Sequence, residues 1–156
     1  EKYLKAVPPP EGVTISIEWG DSLEKLPNRL KSTEESFLLF LDAHWSAEGY
    51  MGENMQTFLP KELKMIYDFR DKFTDEFKDS VIIIDDINHF LPDPRQDLME
   101  QSMKRNFCNE VYRLLREINP HFHILLFDSK SGNGNKYLLA SESEEYRNYK
   151  QNHPAT

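Results

Sequence analysis

Apolar residues in this chain recur with two periods, and the alternation between them predicts an α/β fold. Val13-Thr-Ile-Ser-Ile-Glu-Trp19 alternates apolar and polar residues, the period of a strand with one buried face, and stops at Gly20-Asp21-Ser22. Phe37-Leu-Leu-Phe-Leu41 and Val81-Ile-Ile-Ile84 are instead unbroken apolar runs that end abruptly in carboxylates. Strands buried on both faces read this way, because helices cover both sides of a parallel sheet. Between the runs the spacing becomes helical. One helix is expected from Leu23 to about Lys31, capped by Asp21 or Ser22 with Glu24 in its first turn. A second is opened by Pro60 and carries Leu63, Ile66, Tyr67 and Phe73 on one stripe. A third, long and amphipathic, runs from about Asp97 to Ile118 and is stopped by Asn119-Pro120. Residues 121–128 and 136–140 read as strands flanking the glycine- and asparagine-rich turn Ser129-Lys-Ser-Gly-Asn-Gly-Asn135. The expectation is a single domain over 1–156 with a polar tail from 141 to 156. Its Rossmann-like mixed sheet has mostly parallel strands (13–19, 36–42, 80–85), flanking helices and a C-terminal antiparallel hairpin.

Ligands of open parallel sheets sit just beyond the carboxyl ends of the strands. Asp42, His44, Asp85, Asp86, Asn88 and His89 fall there. Acids and imidazoles gathered at one rim suit a divalent metal or proton transfer, so Asp42 and Asp85 are expected to converge below the glycine-bearing loop 46–58. His44, two residues past Asp42, is a candidate general base or metal ligand, or a ring stacked on Trp45. Adjacent residues of a strand point to opposite sides, so Asp85 is favoured for the site while Asp86 serves backbone amides. An acid after a strand also works as a helix cap or loop acceptor, and for Asp42 alone that reading stands equally.

Composition narrows the partners. With 38% hydrophobic and 12% aromatic residues the chain is a folded domain despite 29% charged residues. Its net charge of −8 argues against nucleic acid, whose phosphates need clustered Lys and Arg. No apolar run approaches the roughly 20 residues that span a bilayer, and Glu1-Lys-Tyr-Leu-Lys lacks the apolar segment of a signal peptide. One cysteine, Cys108, permits no internal disulfide and lies in a mostly apolar helical register, as a buried structural thiol does. A reducing cytoplasm is the expected compartment. There is no Gly-x-Gly strand-to-helix turn and no phosphate loop, so the acidic end of Ile82-Ile-Ile-Asp-Asp86 lacks the partner a nucleotide site needs.

Gly20-Asp21-Ser22, Phe40-Leu-Asp-Ala-His-Trp45 and Ile84-Asp-Asp86, with the long helix and closing hairpin, resemble the strand 3 to strand 7 half of class I S-adenosylmethionine-dependent methyltransferases. The likeness covers about residues 12–140 and extends more distantly to catechol O-methyltransferase-type enzymes. It implies methyl transfer from S-adenosylmethionine to a small-molecule or glycan acceptor. By resemblance Gly20, Asp21 and Ser22 touch the cofactor's adenine, Asp42 ends strand 4, and Asp85 with Asp86 takes the place of the family's Asp-Asn pair. In the catechol type these acids hold a magnesium ion, so Asp42, Asp85 and Asp86 become candidate metal ligands, and Asp42, His44 and Asp85 candidates for the chemistry. The family's glycine-rich first-strand turn and its second-strand acid have no counterpart in these residues. The expectation is therefore the C-terminal part of a larger methyltransferase-like domain, completed by an oligomer or by the rest of a longer chain. The alternative is a non-catalytic Rossmann-like module that binds a partner.

Overall fold

A computed structural model of the chain describes residues 18–42, 55–128, 136–143 and 148. The elements run α1 (Ser22–Ser32), β1 (Leu38–Leu41), α2 (Met55–Tyr67), a π-helical turn (Lys72–Glu76), β2 (Val81–Ile84), a 3-10 turn (Ile87–Phe90), α3 (Leu98–Ile118), β3 (His123–Asp128) and β4 (Lys136–Ser141). The four strands form one sheet in the order β1-β2-β4-β3. β1 and β2 are parallel, in the register Leu38↔Val81 to Leu41↔Ile84. β4 is antiparallel to both of its neighbours.

The expected parallel pairing of the two apolar runs and the closing hairpin are therefore present, but the sheet is not mostly parallel. The hairpin joins β2 through its second strand, β4, rather than its first, which makes two of the three neighbouring pairs antiparallel. Residues 13–17 of the expected first strand lie outside the described residues. Glu18 and Trp19 belong to neither helix nor strand, and Trp19 is 79% exposed.

Local chemistry accounts for the helix ends. Asp21 caps α1, its carboxylate accepting from the Leu23 amide at 2.8 Å. At the other end the hydroxyls of Ser32 and Thr33 both donate to the Arg29 carbonyl, one of those the last turn leaves without a helical partner. α3 begins at Asp97, which accepts from the Glu100 amide at 2.9 Å, and ends at Asn119. α2 begins before Pro60, not at it: the proline is its sixth residue and forgoes one ladder hydrogen bond. Burial of Leu59, Leu63 and Ile66 on one stripe outweighs that loss, since each such side chain contributes about 1.5–3 kcal/mol.

The three α-helices among the described residues pack on one face of the sheet. Leu30 of α1, the α2 stripe and Phe107, Val111, Leu114, Leu115 and Ile118 of α3 form one cluster with Leu41, Ile82, Ile84, Leu138, Ala140 and Ile124. Pleating sends the alternate residues to the opposite face. There Phe127 stacks on Tyr137 with ring centroids 5.4 Å apart, while Leu38 and Phe40 are half exposed. Among the described residues no helix is long and apolar enough to cross a membrane.

Cys108 is half-buried in α3, its Sγ donating to the Phe90 carbonyl at 3.2 Å. Burial raises its pKa above the ordinary thiol value. Less thiolate is then present at neutral pH than in a free cysteine. Alkylation by iodoacetamide is expected to be slower than that of a free thiol at pH 8. The rate should keep climbing at pH values where the free thiol has levelled off. Reaction at the free-thiol rate across this range would contradict the burial.

Candidate functional site

The parallel register decides what stands at the sheet's rim. The ladder continues one step beyond β2, with the Asp85 amide donating to the Leu41 carbonyl at 3.0 Å. Asp42 and Asp85 thus follow directly on paired residues at the carboxyl ends of adjacent strands. Their surroundings differ. Asp42 is exposed and lines a cleft of about 580 Å³ formed by α1, the residues before it, β1 and α2. Asp85 does not line this cleft, and its Oδ1 accepts from the Asp86 amide at 2.6 Å.

Three sequence-distant segments meet in the cleft. Glu18, Gly20 and Ser22 come from the turn into α1, Leu39 to Asp42 from β1, and Glu62 from α2. Glu62 is only 1% exposed, and the Ser22 hydroxyl donates to its Oε1 at 2.5 Å. Arg29 pairs with Glu18 at 2.5 Å, and Lys25 lines the same wall. Gly20 has φ +137, where L side chains are strained, and a Cβ there would stand 2.7 Å from the Lys25 Cε. β1 is an outer strand of the described sheet. Because the Phe37 and Leu41 carbonyls accept from the Val81 and Asp85 amides, alternation turns the backbone groups of Leu38 and Phe40 outward, away from β2. The cleft thus offers carboxylate acceptors, two cations and an apolar lining of Leu26, Leu39 and Leu41. Such a mixture suits an amphipathic small molecule bearing hydroxyl or amino groups.

The sequence-predicted residues are distributed unevenly. Gly20 and Ser22 share the cleft with Asp42, whereas Asp21 caps α1 with its side chain. His44 and residues 46–54 of the expected 46–58 loop lie outside the described residues, as does the side chain of His89, while residues 55–58 are helical, the start of α2. Asn88 accepts from the Lys136 amide at 3.1 Å, tying the 3-10 turn to the start of β4. Among the described residues no three of His, Cys, Asp and Glu gather as a metal site. Glu62 was not foreseen, although its position announces it: a carboxylate at 62 between Leu59, Leu63 and Ile66 interrupts the buried stripe of α2.

Asp86 is held in the left-handed region at φ 54, ψ 22, and its Oδ1 is buried without a hydrogen-bond partner. Asparagine tolerates this backbone and carries no charge to desolvate. Asp86→Asn keeps a polar atom there but removes the charge, and is therefore expected to raise stability by up to about 1 kcal/mol, the difference between leaving a charged and a neutral group unsatisfied, read as a higher urea midpoint. A magnesium-dependent rise in Tm seen in the wild type and absent from the variant would instead make the carboxylate a cation ligand.

Compared with known protein families, curated proteins and solved structures, the chain matches none.

Proposed function

We propose that this chain is an S-adenosylmethionine-dependent methyltransferase-like domain whose small-molecule site is the cleft beside β1. One observation carries the reading: Gly20 and Ser22, which the resemblance assigns to the cofactor, line the same cleft as Asp42, which it makes a candidate for the chemistry. The two assignments rest on segments some twenty residues apart in sequence, and the fold brings them together at the carboxyl end of a parallel strand pair. The residues present fit the cofactor's polar groups. Asp42 presents a carboxylate at the cleft, buried Glu62 holds the Ser22 hydroxyl in its wall, and Gly20 keeps the wall beside Lys25 open. When bound, S-adenosylmethionine supplies an activated methyl group. In this reading Asp42, exposed at the cleft, takes a proton from an acceptor hydroxyl or orients it.

Magnesium fits the described residues less well. Asp85 is engaged with the Asp86 amide and does not share the cleft with Asp42. No step of the proposed chemistry runs through a metal.

Isothermal titration of the chain with S-adenosylmethionine tests the reading. Saturable binding is expected, weak because the family's glycine-rich turn and second-strand acid have no counterpart here. Gly20→Val should weaken it at least about tenfold, roughly 1.4 kcal/mol, with the circular dichroism spectrum unchanged. Absence of heat with S-adenosylmethionine, with and without magnesium, would favour the non-catalytic binding module.

A further inference from the structure

We draw no further inference here: the strongest candidate, the apolar sheet face opposite the helices around Leu38, Phe40 and Tyr137, carries nothing because nothing in the structure shows what covers it.

Discussion

Phe73→Ala is expected to lower the unfolding free energy by about 3–5 kcal/mol, the range for removing a fully buried aromatic ring. Phe73 is 0% exposed and sits in the π-helical turn between α2 and β2. Its ring meets Phe37 edge-on at 5.1 Å and 75°, and Phe122 at 6.2 Å and 88°. Phe37 leads into β1 and Phe122 into β3, so one side chain ties the π turn to the entries of two strands that are not neighbours in the sheet. Truncation removes the transfer energy of the ring, both edge-to-face contacts and the packing around them. At roughly 2–4 °C per kcal/mol for a chain of this size, Tm should fall by about 10 °C. The urea midpoint should fall with the m-value unchanged, since the loss is in the folded state. Phe73→Leu keeps most of the volume and should cost well under half as much. A loss below about 1 kcal/mol in the alanine variant would mean that the site collapses around the missing ring and that the aromatic cluster does not govern strand entry.

How much of this was legible in the sequence depends on whether the signal is local. The cap residues Asp21 and Asp97, the stop at Asn119 and the apolar stripe of α3 are set by residues within a turn or two of each other, and the helix ends lie where those residues predict. The parallel pairing of β1 with β2 is present as the unbroken apolar runs predicted, but not for the expected reason: the described helices cover one face, and Leu38 and Phe40 on the other are half exposed. Strand order was not legible. Whether a hairpin joins a sheet by its first or second strand depends on what β3 and β4 meet in three dimensions, and neither Leu125 nor Leu139 carries that information alone. The acids show the same divide. Asp42 and Asp85 were both readable as strand-end carboxylates, but only the backbone turn at Asp86, with its positive φ, sets Asp85 against its own chain. Glu62 carries a sequence signal of its own, an acid on the apolar stripe of α2, where a buried charged residue is rare unless partnered.

Asn119→Ala is expected to cost about 2–4 kcal/mol, because three contacts that converge on one buried amide are lost together. Asn119 is 0% exposed. Its Nδ2 donates to the Phe73 carbonyl at 2.7 Å and to Glu142 Oε2 at 2.8 Å, while its Oδ1 accepts from the His121 amide at 2.8 Å. The end of α3, the π turn, the lead into β3 and the exit from β4 are thereby fastened at one point. Alanine leaves the Phe73 carbonyl without this donor in a buried site, where a water entering the vacated space would replace only part of the three contacts. Asn119→Asp separates the donor from the acceptor role at nearly constant volume. Its carboxylate keeps the acceptor for the His121 amide but faces the Phe73 carbonyl and the Glu142 carboxylate with negative charge. The folded state of that variant therefore favours the protonated acid, raising its pKa above the unfolded value, so its stability relative to wild type should be lost as pH rises through the carboxylate range and regained as pH falls. Adding Glu142→Gln should recover part of the loss at neutral pH by removing the like charge. Urea midpoints of the three variants measured between pH 4 and pH 8 supply the check. If Asn119→Asp matched wild type at pH 8 and showed no pH dependence of its own, the amide's donor contacts to Phe73 and Glu142 would contribute nothing, and the junction would be held by packing alone.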